Sequence, residues 1–134
     1  MLQDFPMYSY IPARDLARAR QFYEGKLGFK PKEETKGGVV YEFAGGTACF
    51  LYVTPNAGTS QASQAFWDVD DVDDLIEQLK AKGVKFSTPI IDDPNMMGGV
   101  RIAFFTGASG EVFELFEYLK PVPCLHDNKA VKQK

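Results

Sequence analysis

A histidine-based metal centre needs at least two imidazoles within reach of one ion, and this 134-residue chain has one histidine, His126. Zinc, nickel and non-haem iron sites lean on imidazole, the pairing of two histidines with one carboxylate above all. His126 falls in the C-terminal tail, where chain ends are commonly solvated, and is expected to be a tail residue rather than a ligand. The two cysteines, Cys49 and Cys124, show no CxxC or framework spacing, which points to free thiols in a reducing cytoplasm. The acidic run Asp68, Asp70, Asp71, Asp73 and Asp74 invites a calcium reading. It has neither the turn glycine nor the distal glutamate of an EF-hand loop, and it opens an amphipathic helix, where carboxylates meet the positive end of the helix dipole. Capping accounts for it better. With a net charge of −3 and scattered lysines and arginines, the chain lacks the basic stripe that nucleic acid requires, so nucleic acid is excluded as a partner.

What must position any remaining chemistry is a set of short elements. The 45% hydrophobic and 13% aromatic content is enough to fill one core at this length. No run approaches the roughly 18 apolar residues of a membrane span, and the N-terminus lacks the basic and apolar regions of a signal peptide, so an unexported chain without a membrane partner is expected. Residues 7–13 alternate as a strand. Asp15 then offers an N-cap before Leu16, Ala19, Tyr23 and Leu27 at helical spacing, and Gly28 ends the helix. Three β-like runs follow, at 29–34, 39–43 and 47–54, separated by glycine turns. After a linker-like stretch at 55–60 the order restarts: a strand at 62–69, Asp71 as cap, Val72, Leu75, Ile76 and Leu79 as an apolar stripe, Gly83 as stop, and strands at 84–88, 100–105 and 111–118. Each half reads βαβββ. A ferredoxin-like βαββαβ domain would need a helix after the third strand, where residues 41–48 offer none.

The segments Tyr10-Ile-Pro-Ala-Arg-Asp-Leu-Ala-Arg-Ala-Arg-Gln-Phe-Tyr-Glu-Gly-Lys-Leu-Gly-Phe29 and Trp67-Asp-Val-Asp-Asp-Val-Asp-Asp-Leu75, with Lys80-Ala-Lys-Gly-Val84, resemble the vicinal oxygen chelate superfamily of glyoxalases, bleomycin-resistance and fosfomycin-resistance proteins and extradiol dioxygenases. The resemblance covers about residues 5 to 118. It implies an α+β fold of two tandem βαβββ modules forming a curled, open-barrel-like mixed sheet with helices outside. The corresponding boundaries are one domain over 1–119, with module 1 at about 5–54, a linker at 55–61 and module 2 at about 62–119, followed by a flexible tail at 120–134. It also implies a homodimer.

The same resemblance implies four metal corners, which map onto Tyr8, Phe50, Gln64 and Glu114. Only Glu114 is a typical ligand. Gln64 can coordinate through its amide oxygen, so any metal would be a weakly held divalent ion at Gln64 and Glu114. With these corners inward, strand alternation brings Tyr10, Tyr52, Phe66, Asp68 and Phe116 to the same surface, an aromatic wall with a few polar groups. Such a wall suits a planar or amphipathic small molecule, although the same rings could simply pack the interior of the sheet. Three functions stay open. The first is a metal-independent binding protein that sequesters an aromatic or amphipathic ligand and needs no cofactor. The second is a lyase, isomerase or dioxygenase-like enzyme with a weak metal site. The third is a metal-free enzyme using Glu114 as acid or base with Tyr8 as its hydrogen-bonding partner. The loop at 92–99, with Met96 and Met97, is either a lid or an ordinary surface loop. The side on which Arg101 lies is undecided.

Overall fold

The computed structural model describes residues 1–87, 89–96 and 98–119. In the first half, β1 (Ser9–Ala13) leads into α1 (Leu16–Arg20), which continues as a π-helical segment over Gln21–Lys26. The strands β2 (Pro31–Thr35), β3 (Gly38–Glu42) and β4 (Ala48–Val53) follow. The second half repeats the order with β5 (Ser63–Asp68), α2 (Val72–Ala81), β6 (Ile91–Asp93), β7 (Val100–Thr106) and β8 (Val112–Tyr118). Each half closes its own four-stranded sheet, in the orders β1-β4-β3-β2 and β5-β8-β7-β6. The first strand of each half runs parallel to the last, and the remaining neighbours are antiparallel. The fold is therefore α+β with two βαβββ units, and the strand hydrogen bonding is divided between two open mixed sheets.

Local chemistry explains the helix starts. The Asp15 carboxylate accepts the Arg18 backbone N–H at 3.1 Å, and the Asp71 carboxylate accepts that of Asp74 at 3.1 Å, each satisfying a donor that the first helical turn leaves open. The α2 start gains a second acceptor from β8, where Glu117 takes the Val72 N–H at 2.8 Å. Two acids of the run serve the helix itself, Asp71 as its cap and Asp74 as acceptor from Gln78, while Asp73 pairs with Arg101 of β7. The first helix departs from the expected regular form after Arg20. The Leu27 N–H reaches back five residues to the Phe22 carbonyl at 3.2 Å, the π-type spacing.

One apolar core joins the halves. Ile11, Ala13, Cys49 and Leu51 of the first sheet and Ala103, Phe105, Phe113 and Leu115 of the second pack with Ala19, Tyr23, Val72 and Ile76 of the helices. Ring contacts cross between the halves at Tyr23–Phe113, Phe29–Trp67 and Phe43–Trp67. The linker-like stretch is anchored as well: Ala57 is fully buried, the Arg14 Nε–H donates to its carbonyl at 2.8 Å, and the Arg14 backbone N–H donates to Ser109 Oγ at 3.3 Å.

The strand expected at 84–88 is not formed as such. Residues 85–87 make two backbone bonds with the far end of β7, Ser87 N–H to Phe104 and Thr106 N–H to Lys85, and one isolated bridge at Phe86. Pro89 has no N–H to continue the ladder, so pairing resumes only at β6, where Ile91, Asp92 and Asp93 face Ile102, Arg101 and Val100. The loop expected at 92–99 therefore begins after Asp93. Arg101 lies on the helix side, where its guanidinium pairs with Asp73 at 2.6 Å and Asp92 at 3.1 Å. The tail, with Cys124 and His126, lies outside the described residues.

Candidate functional site

In every strand of the two sheets that packs on the helices, alternate residues enter the core and the others face away from it. These helix-free surfaces are the open faces of the two sheets. On the first sheet this face carries Tyr10 and Pro12 from β1 and Phe50 and Tyr52 from β4, in register as Tyr10↔Phe50 and Pro12↔Tyr52. The Tyr10 ring stands edge-on to Tyr52 at 5.0 Å and to Phe50 at 6.1 Å, and it is 63% exposed. Tyr8 precedes β1 and is exposed too.

On the second sheet the open face carries Phe66 and Asp68 from β5 and Glu114 and Phe116 from β8, in register as Phe66↔Glu114 and Asp68↔Phe116. Phe66 stacks on Phe116 with centroids 4.4 Å apart and remains 47% exposed. Phe116 itself is buried in a second apolar cluster with Val100, Ile102 and Tyr118, against which Phe104 packs. The residue facing Glu114 from β7 is Phe104. Glu114 is thus half-buried between two phenylalanine positions, and no hydrogen bond or ion pair to another described residue holds its carboxylate. Asp68 is half-buried, with both carboxylate oxygens shielded from solvent.

The structure brings the expected residues onto two faces rather than around one centre. Tyr10, Phe50 and Tyr52 lie together, as do Phe66, Asp68, Glu114 and Phe116, but among the described residues no ring contact joins one set to the other. Gln64 is the surplus residue of a β-bulge, because Ser63 pairs with Val112 and Ala65 with Phe113. Simple alternation no longer fixes its direction there, and it is exposed. Phe104 escaped the sequence reading, since only the β7–β8 register places it beside Glu114. A buried carboxylate, Glu111, was also missed. Its Oε1 accepts the Tyr23 hydroxyl at 3.3 Å and the Ser109 N–H at 3.0 Å, while Oε2 is buried with no hydrogen-bond partner among the described residues. Burial, and then the adjacent Glu111 charge, push the Tyr23 phenol far above its ordinary range. This pair ties the first helix to the β7–β8 turn, on the core side of both sheets.

A model of the glyoxalase/bleomycin resistance protein/dioxygenase superfamily matches residues 6–115. The chain belongs to that superfamily. Solved structures share its fold. A glyoxalase/bleomycin resistance protein/dioxygenase from Alicyclobacillus acidocaldarius aligns at TM-score 0.71 with 20% identity, covering 87% of this chain and 93% of the other. A glyoxalase family protein from Enterococcus faecalis aligns at 0.66 with 20% identity, covering 87% and 100%. A virulence protein from Salmonella typhimurium aligns at 0.69 with 16% identity, covering 89% and 100%. No curated protein matches the chain. Membership accounts for the duplicated βαβββ unit and leaves the reaction undefined, since a fold hosts many chemistries.

The superfamily's metal can be tested against the donors present. Phe50 has none, Gln64 is an exposed bulge residue, and Tyr8 is an exposed phenol outside β1, so Glu114 is the one strong ligand among the four corners. Among the described residues no group of three or more His, Cys, Asp or Glu is gathered for an ion. A divalent ion does not fit this donor set. Elsewhere, a 230 Å³ groove lies beside α2, lined by residues that include Ile76, Glu77, Lys80, Phe86 and Ile90, and contains none of the open-face residues.

Proposed function

We propose that the chain is a small-molecule binding protein that holds an aromatic or amphipathic ligand on its open faces without a metal, and that a second copy of the chain brings one face opposite the other. One exposed ring on each face, Tyr10 on the first sheet and Phe66 on the second, carries this reading. Tyr10 and Phe66 are ring-supported by neighbours yet left uncovered, and contiguous exposed apolar surface on a folded domain commonly marks a place of binding. Contact between the halves is made through the helix-side core, which leaves both walls available to another molecule. A homodimer agrees with membership of a superfamily whose members are often dimeric and bind small molecules. The buried free thiol of Cys49 suits a reducing cytoplasm.

A thermal-shift screen of metabolites and drugs against the full chain, with light scattering for mass, tests this reading. Stabilising hits that weaken in Tyr10→Ala and Phe66→Ala, on a particle of twice the chain mass, are the expected result. A screen without hits would overturn it. The second reading, a metal-free reaction with Glu114 as acid or base, is favoured by one observation, a carboxylate on an aromatic face with no partner among the described residues. Product analysis of each hit separates the two: recovery of unchanged ligand after long incubation supports sequestration.

A further inference from the structure

We infer that the ligand of the second sheet's open face is an organic cation, an ammonium or amidinium group held by Glu114 with an apolar body lying on Phe66. The inference rests on the binding reading above and names the chemistry of what is bound.

Three observations lead to it. First, Glu114 is drawn part-way out of water between Phe66 and Phe104, with no donor from any described residue. A carboxylate in that position gains most from a group that brings both a hydrogen-bond donor and a positive charge, whereas a neutral apolar ligand would cover it and leave it unpaired. Second, the charged residues that alternation and register put on this face are all acidic. Asp68 lies two residues along β5 from Phe66, and Asp93 faces Val100 at the far edge. The one basic residue in β5, β6, β7 and β8 is Arg101, and it lies on the opposite side, bound to Asp73 and Asp92. An anionic ligand beside Glu114 would meet like charge. Third, Phe66 offers an exposed π-face, fixed by its 4.4 Å stacking on Phe116. The negative face of an aromatic ring attracts cations as well as apolar groups. Aromatic support and a single unpaired carboxylate together select a cation with an apolar body over an acid or a neutral polar molecule.

The test is a matched series on one ring system: naphthylmethylamine, naphthylmethanol and naphthoate, titrated calorimetrically into full-length wild type, Glu114→Gln and Phe66→Ala. Wild type is expected to bind the amine most tightly, with affinity falling as salt is raised. Glu114→Gln should lose about tenfold or more for the amine and leave the alcohol nearly unchanged. Phe66→Ala should weaken the amine and the alcohol together, a pattern that a purely electrostatic role would not give. Equal binding of all three probes, preference for naphthoate, or an amine affinity unmoved in Glu114→Gln would overturn the cation assignment while leaving the binding reading in place. Failure of all three to bind also overturns the assignment, and the binding reading falls separately if the broad thermal-shift screen is empty too. Far-ultraviolet circular dichroism and melting of each variant confirm that a lost signal is not lost folding.

Discussion

Phe50 and Glu114 stand at the same place in the two sheets. Each is the cross-strand partner of an exposed aromatic residue on the parallel first strand, Tyr10 for Phe50 and Phe66 for Glu114. The repeat has therefore kept its geometry at this corner while its two copies carry opposite chemistry, one apolar and one charged. A binding surface tolerates that asymmetry, whereas a metal centre built from both corners does not.

The neighbours Phe50 and Leu51 should separate stability from binding. Leu51 is fully buried in the shared core, so Leu51→Ala is expected to cost about 2–5 kcal/mol in urea unfolding. Phe50 is half-buried on the open face, and Phe50→Ala should cost about 1–2 kcal/mol by lost apolar burial while reducing ligand retention. Equal losses of stability would show that the open face is part of the core.

The Tyr23–Glu111 contact should behave as a coupled pair. Tyr23→Phe removes one of the two donors to Glu111 Oε1 and leaves a buried carboxylate less satisfied, a cost of about 1–3 kcal/mol. In a double-mutant cycle with Glu111→Ala, the loss from Tyr23→Phe should shrink by about 0.5 kcal/mol or more. Additive effects would show that the bond contributes nothing.

Stability should fall on the alkaline side. Burial pushes the Cys49 thiol from 9.0 up to about 11. Burial also raises the Tyr41 phenol, helped by its bond to Glu24, and raises Tyr23. The folded state holds these protons more tightly than the unfolded chain does. Their contribution is therefore complete below the unfolded values, begins to fall near pH 9 as unfolded Cys49 ionises, and falls further above about pH 10 with the tyrosines. Urea midpoints across pH 8 to 10.5 should decline, and Cys49→Ala should flatten the first part of that decline. A midpoint constant over this range would contradict the assignment.

Gly58→Ala should be among the most damaging single-methyl changes. Gly58 has φ of +77°, and a Cβ there would overlap the Ser109 carbonyl oxygen, which belongs to the β7–β8 turn. Left-handed strain and a backbone clash act together, so a loss above about 2 kcal/mol is expected by thermal unfolding. Gly46 is also left-handed but has open space around it, and Gly46→Ala should cost about 1 kcal/mol from conformation alone.

Features governed by neighbours in sequence are legible in the sequence itself. Asp15 and Asp71 cap helices because a side chain reaches a backbone N–H three residues on, and the order of elements repeats because the apolar spacing repeats. Features governed by pairing between distant strands are not. The bulge at Gln64 depends on where β5 meets β8, and the placing of Phe104 beside Glu114 depends on the β7–β8 register. Nothing local distinguishes the alternating segment at 84–88 from a strand; Pro89 interrupts its ladder only once β7 supplies one. Glu111 reads as the first residue of the last strand until Tyr23, 88 residues away, is folded against it.

The common core of the two repeats bears on whether either can stand alone. Each half has its own sheet and helix, yet Tyr23 packs on Phe113, Phe29 and Phe43 pack on Trp67, and Arg14 is tied to both Ala57 and Ser109. Fragments severed in the 55–60 segment would each present those rings to water and should aggregate unless expressed together. The intact chain should melt in a single cooperative transition in place of two. The two halves are thus interdependent for burial even though their exposed chemistries differ.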